Sequence, residues 1–190
     1  MSNNQLMHSG YERIADDDYK TIDKRCVYAF LEHFKPAGLC VDPCAPTGSG
    51  IVDTLNESGY QAISLPDAFT WFVEGADWVV SNPPYTPGLV DRIIWSQIEQ
   101  LKTGKVNSVA MLMRWGFDHA LKRQPMFRRN PYYYGQIKTL FRPQWFEKRP
   151  GDKQPFHPFV WHIWMERHPL SVSLPVVLYS TGANHELYSW

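Results

Sequence analysis

Four short apolar runs, "AGLCVD" (37–42), "YQAISL" (60–65), "ADWVVS" (76–81) and "VNSVAMLM" (106–113), alternate with segments of helical period. In 51–59, Ile51, Val52 and Leu55 share one helix face and Gly59 supplies a stop. In 89–102, Leu89, Ile93, Ile94, Ile98 and Leu101 do the same over a longer stretch. Parallel strands need a long crossover, which a helix fills, so this alternation predicts an α/β domain with a mainly parallel sheet. A further helix is expected before the first run, where Ile22, Cys26, Ala29, Phe30 and Phe34 recur at helical spacing. Late in the chain, "GQIKTLFR" (135–142) and "FVWHIWME" (159–166) read as an antiparallel pair around the loop 143–158. Trp161 and Trp164 belong to that last strand and are assigned to the core, and His157 and His162 are read as packing residues.

The chain has 190 residues, enough for one domain with a sizeable core. Residues 1–18 are polar and read as a flexible arm, 19–167 as the domain, and 168–190 as a C-terminal extension too short for a second one. The formal net charge is zero, so any polyanionic partner must be held by a local patch rather than by the overall field. Cys26, Cys40 and Cys44 show no metal spacing with nearby histidines and cannot all pair, which points to reduced thiols in a cytoplasmic protein. The N-terminus lacks the basic-then-apolar pattern of a signal peptide. No apolar run approaches the roughly 20 residues a membrane helix needs, so no membrane partner is expected.

Two unusual turns fall at carboxyl ends of predicted strands, where open α/β sheets bind their ligands. The first is "DPCAPTGSG" (42–50): an acid closes the strand, and small residues and glycines lead into a helix. Small side chains let a ligand approach the backbone, and a helix N-terminus offers N–H groups. Pro46 breaks the dinucleotide fingerprint and no lysine follows Gly48 or Gly50, which excludes a phosphate loop. The turn alone fits an ordinary strand-to-helix connection as well as a ligand site. The second is "SNPPY" (81–85), in which two prolines end a buried strand on a rigid turn between an amide and an aromatic ring.

Asn-Pro-Pro-Tyr, forty residues beyond Asp42-Pro43-Cys44-Ala45, resembles the DNA N6-adenine methyltransferases that use S-adenosylmethionine, especially small phage and prophage forms. The likeness runs from about Tyr19 to Glu166. It implies a Rossmann-like class I methyltransferase fold: a mixed, mostly parallel seven-stranded sheet with a C-terminal antiparallel hairpin. It further implies catalysis by Asn82, Pro83, Pro84 and Tyr85. The Asn82 side-chain oxygen and the Pro83 carbonyl would accept from the target amine and stabilise the charge that develops on its nitrogen. Tyr85 would stack on a flipped-out adenine, with no metal and no covalent nucleophile needed. The cofactor-binding residues implied are Tyr19, Thr21, Asp42, Pro43, Cys44, Ala45, Gly48, Asp67, Phe69 and Asn82. No separate acid ends the second strand, so the ribose falls to Asp67 or to no matching residue. Trp145 and Phe156, in the final loop, are the aromatic residues expected to face the target base.

The segment 114–135 mixes Arg114, Lys122, Arg123, Arg128 and Arg129 with aromatic residues. Such a run is either a solvated face or a phosphate-contacting rim. Its place after the fourth strand puts it at the edge of the expected site, so Arg114, Arg123, Arg128 and Arg129 join the substrate-binding candidates. The partner implied is DNA, duplex or single-stranded, and target recognition must come from loops or from the second subunit of a homodimer. Methylation of RNA adenine or of a protein glutamine amide uses the same turn geometry. A non-catalytic nucleic-acid-binding protein that keeps the fold is the alternative from another class.

Overall fold

The computed structural model describes residues 21–45, 48–145, 157–166 and 175–183. Helix α1 (Arg25–His33) is followed by β1 (Leu39–Asp42), α2 (Gly50–Glu57), β2 (Ala62–Ser64), β3 (Ala76–Ser81), α3 (Leu89–Lys102) and β4 (Ser108–Arg114). Two 3-10 turns, Phe117–His119 and Leu121–Met126, then lead to β5 (Tyr133–Thr139), β6 (Phe159–Met165) and β7 (Val176–Ser180). The strands form one seven-stranded sheet in the order β2-β1-β3-β4-β6-β5-β7. Only β6 runs against the rest: it pairs antiparallel with β4 and β5, and the other neighbours are parallel. This is the Rossmann-like class I methyltransferase architecture expected from the sequence, hairpin included.

Strand alternation sorts the core into two layers. Ala110 and Leu112 of β4 point to the side of α1 and α2, packing with Phe30, Ile51, Leu55 and Trp161. Val109, Met111 and Met113 point the other way, to Ile94, Ile98, Phe127 and Trp164. Both strand tryptophans are fully buried, and each donates its indole N–H to a carbonyl: Trp161 to Cys26 O at 2.8 Å and Trp164 to Met126 O at 2.7 Å. Paired in this way, each ring contributes a few kcal/mol of apolar burial without an orphaned donor.

The seventh strand comes from the C-terminal extension, in which the sequence pattern marks no element. Val176–Ser180 joins the edge of the sheet beside β5. Gly135 makes room for it: a Cβ there would lie 2.0 Å from Val176 O, and φ is +152°. Helix α1 holds the strand from one side, through Glu32 accepting from Ser180 Oγ and the His33 Nε2 to Tyr179 O contact of 2.9 Å. The seven-strand count was thus reached with a strand that only tertiary pairing reveals.

Candidate functional site

The sheet brings the two unusual turns side by side. Strands β1 and β3 are parallel neighbours, with Val41 opposite Val79, so Asp42 and Ser81 close adjacent carboxyl ends. The Asp42 residue is only 3% exposed. Its carboxylate accepts from Ser49 Oγ at 2.6 Å, from Ser81 Oγ at 2.7 Å and from Cys44 N at 3.1 Å. A buried charge is tolerated only when paired or hydrogen-bonded, and three donors converge on this one. Asp42 therefore ties the end of strand β3, the turn 42–45 and the start of α2 into one rigid unit.

Ser49, absent from the sequence-derived candidates, is the middle link. It is the N-cap of α2, and its hydroxyl oxygen accepts from Ile51 N at 3.2 Å and Val52 N at 3.3 Å. Two N–H groups expected from the sequence to be open to a ligand are thus already taken by the cap. A serine just before an apolar helix is a legible N-cap signal and would have found it. Gly50 opens the helix under close cover: a Cβ there would sit 2.1 Å from Thr21 O. The buried Thr21 is thereby laid across the α2 N-terminus. Gly48 faces open space, with nothing within 4 Å of the place a Cβ would occupy.

Cys44 is half-buried beside Ser81 and Asp42. Burial, reinforced by the Asp42 charge, pushes its thiol up to about 12, so it stays a neutral group at the turn and not a nucleophile. Ala45 is buried, and its N–H donates to Leu65 O at 3.3 Å, while Leu65 N donates to Asp42 O at 2.8 Å. The chain leaving β2 is thus stitched to the same turn. Asp67 lies two residues further on. Its carboxylate is lowered by the Thr70 hydroxyl and by the Phe69 N–H, which donates at 2.7 Å, so it caps its own turn. Helix α3 anchors that turn through Gln97 Nε2, which donates to Ala68 O at 2.6 Å. Phe69 is exposed, with the Arg92 guanidinium 5.1 Å above its ring.

In the second turn Pro83 is buried, and Asn82, Pro84 and Tyr85 are half-buried. The Tyr85 hydroxyl meets two acceptors, Asn82 Oδ1 and Leu112 O, the latter at 2.9 Å. Its ring packs edge-on against Phe159 at 5.9 Å, and the Arg114 guanidinium lies 5.2 Å from its centre. Trp145 packs against Phe159 as well, at 4.7 Å. Trp145 is therefore linked to the Asn82–Tyr85 turn through one ring, Phe159, a residue the sequence marks only as strand. A hollow of about 380 Å³ beside this loop is lined by Ile22, Asp23, Lys24, Arg25 and Gln144. The Gln144 N–H donates to Asp23 at 3.0 Å, which joins the loop to the segment that enters over α2.

The basic candidates separate. Arg114 is at the rim, as described. Arg123 turns inward: Nε donates to Asp91 Oδ1 at 2.6 Å, Nη1 donates to Phe117 O at 3.0 Å, and the guanidinium lies 3.6 Å from the Phe117 ring centre. Burial raises the Asp91 carboxyl, but Arg123 and Lys122 outweigh it and hold the group below its ordinary value. This geometry makes Arg123 a clamp between α3 and the 3-10 turns rather than a phosphate ligand. Arg128 and Arg129 are exposed. His162 is fully buried, its Nδ1 2.9 Å from the Tyr133 hydroxyl, as a packing role requires. Tyr19 and Phe156 lie outside the described residues.

No family model and no curated protein matches the chain. Among solved structures, it is similar to a protein from Listeria monocytogenes described as a class I S-adenosylmethionine-dependent methyltransferase, with a TM-score of 0.51 and 13% identity over 92% of this chain and 70% of that one. A protein from Pyrococcus horikoshii described as an RNA methyltransferase gives a TM-score of 0.45 and 11% identity over 75% of this chain and 81% of that one. The first likeness, taken with the strand order, shows that the chain has the fold of the class I methyltransferases.

Proposed function

We propose that the protein transfers a methyl group from S-adenosylmethionine to the exocyclic N6 amine of adenine in DNA, with the target base swung out of the helix. One observation carries the reading. The turn assigned to the cofactor and the turn assigned to the amine are locked together by the 2.7 Å bond between Ser81 Oγ and the Asp42 carboxylate. A donor and an acceptor bound at these two turns would be held in fixed register, which is the main requirement for a direct transfer.

The residues suit the cofactor. Gly48 leaves open space over the turn, Thr21 and Ala45 bring backbone close to it, and the neutral Cys44 adds no charge. Bound there, the cofactor supplies an electrophilic sulfonium methyl. The chain supplies the rest. An adenine amine is a weak nucleophile because its lone pair is delocalised into the ring. Asn82 Oδ1 and the Pro83 carbonyl accept its two hydrogens and stabilise the positive charge that forms as nitrogen takes the methyl. The surplus proton then leaves to solvent. The two prolines keep this turn from reorganising during the step.

Incubation with methyl-labelled cofactor and, separately, plasmid DNA, RNA and the protein itself tests the proposal. Label in N6-methyladenine of DNA supports it. Label confined to RNA or to protein amides moves the substrate class, and no label with no cofactor binding leaves a fold without the activity. Asn82→Ala removes a positioned acceptor and should lower the rate on the order of 10²–10³-fold in a folded protein. Near-normal turnover would overturn the role of Asn82.

A further inference from the structure

Three side chains form a row on one face of the sheet, a cation between two rings. The Tyr179 ring has the Lys138 ammonium 5.7 Å from its centre, and the same ammonium lies 4.4 Å from the centre of Trp115. Trp115 follows Arg114 in the chain, and the Arg114 guanidinium lies 5.2 Å from the Tyr85 ring of the catalytic turn. The row thus runs from the edge strand β7, across β5, to Trp115 just past the end of β4, where Arg114 turns to the opposite face, toward Phe159 and Tyr85.

Tyr179, Lys138 and Trp115 lie on a face of β5 and β7 that no described helix covers. Helix α1 packs against β5 and β7 on the opposite face, and α3 packs against β4. The result is exposed Trp115 at 48% and Tyr179 at 54%, with Val177 at 44% beside them. The strands themselves carry only basic charge, and Asp118, three residues past Trp115, is the acid that acts on their buried Tyr133 and His162. Strands β5, β6 and β7 carry no aspartate or glutamate, and the loop that follows β5 adds Arg142. A chain of zero net charge therefore presents a cationic, aromatic surface here. A protein-docking face would place its apolar groups together at a dry centre. Here an ammonium stands between the rings, so each ring is next to a site for a phosphate.

We infer that Tyr179, Lys138, Trp115 and Arg114 form a track for a single strand of nucleic acid, leading the target nucleotide to the turn at Asn82–Tyr85. Unpaired bases stack on the Trp115 and Tyr179 rings, and Lys138 and Arg114 take the phosphates between them. A duplex keeps its base faces stacked inside and cannot use the two rings. The inference rests on the reading of the site as a nucleic-acid methyltransferase and narrows its substrate to an unpaired segment, DNA or RNA.

Fluorescence anisotropy of the full chain with a labelled 12-nucleotide oligothymidylate, an oligouridylate and a 12-base-pair duplex tests it. Trp115→Ala and Tyr179→Ala should each weaken binding of the single strands about five- to hundredfold. Trp115→Phe should keep most of the affinity. Lys138→Gln should flatten the salt dependence by a slope of about 0.7. Cofactor affinity by calorimetry and the melting temperature should stay close to wild-type values, since Trp115 and Tyr179 are exposed and Lys138 is half-buried. Thymidylate and uridylate compared side by side identify which strand is preferred. The inference is overturned if the wild type binds no single strand, or if both alanine variants bind within twofold of it. It is also overturned if the duplex loses as much affinity as the single strands, or if the variants change only self-association. A 12-nucleotide single strand that contains adenines and binds along the track without being methylated sinks the proposed activity and leaves the track; the thymidylate and uridylate strands, which lack the N6 amine, report binding alone. Methyl transfer with unaltered binding in the variants sinks the track and leaves the activity.

Discussion

Tyr85→Phe separates two jobs for one residue. If the ring only stacks on the target base, deleting the hydroxyl changes little, because phenylalanine offers the same face. The contacts say that the hydroxyl matters. A phenol has one proton, and it stands between Asn82 Oδ1 and Leu112 O, 2.9 Å from the latter. Strand β3 last pairs with β4 at Ser81 opposite Met111, so Leu112 lies one residue past the ladder and Tyr85 supplies its donor. The hydroxyl thus ties the acceptor amide to the neighbouring strand. Removing it leaves a buried carbonyl without this donor, which should cost about 1–2 kcal/mol in urea unfolding. It also removes the tie that Tyr85 puts on the Asn82 amide. An acceptor that is displaced rather than deleted should lose about tenfold in kcat, corresponding to about 1.4 kcal/mol of barrier. The assay is steady-state methyl transfer with saturating cofactor, alongside calorimetry of cofactor binding. The expected result is a lower kcat, an unchanged KM for the nucleic acid and unchanged cofactor affinity. A variant with wild-type kcat refutes the positioning role and returns Tyr85 to stacking alone.

Asp42→Ala removes the acceptor for Ser49, Ser81 and Cys44 N at once; a loss of about 2–4 kcal/mol of stability and at least tenfold weaker cofactor binding by calorimetry are expected, and unchanged affinity in a folded variant would make the turn purely structural. Arg123→Ala should lower stability by about 1–3 kcal/mol, because it strips Asp91 of its closest partner, and should leave the salt dependence of DNA binding unchanged. Arg128→Ala with Arg129→Ala should do the reverse, flattening the slope on duplex DNA by roughly 0.9 for each phosphate no longer neutralised, and a slope equal to wild type would make these arginines solvated surface. His162 gives a pH signature: burial, opposed by Asp118 and aided by His119, lowers it from 6.5 to about 4. The unfolded chain then binds the extra proton first, so this contribution is complete above pH 6.5 and is lost as pH falls toward 4, by about 3 kcal/mol. Urea midpoints across that range should fall less steeply in His162→Phe than in the wild type, and parallel profiles would refute the assignment.

Local signals determined most of the elements. The apolar period of 89–102 marked α3, now Leu89–Lys102, and the alternation of strand and helix marked the sheet as mainly parallel, as β1 to β4 are. These patterns are readable because burial on one face writes itself into spacing along the chain. Asn82, Pro83 and Pro84 were equally legible, since two prolines at the end of an apolar run leave the backbone few conformations. What Asp42 bonds to was not legible. Ser49 and Ser81 lie seven and thirty-nine residues away, and only the pairing of β1 with β3 brings all three together. Arg123 looked like its neighbours in sequence, yet packing of α3 against the 3-10 turns gave it Asp91 and left Arg128 and Arg129 outside. Strand β7 had no period to read, because a five-residue edge strand with one bare face depends on the backbone of β5 and on the absence of a side chain at Gly135. The same bare face sets Trp115, Lys138 and Tyr179 in one line. Spacing along a chain records which residues are buried, but not which distant groups meet; the sheet order and the packing of helices and turns on it decided that.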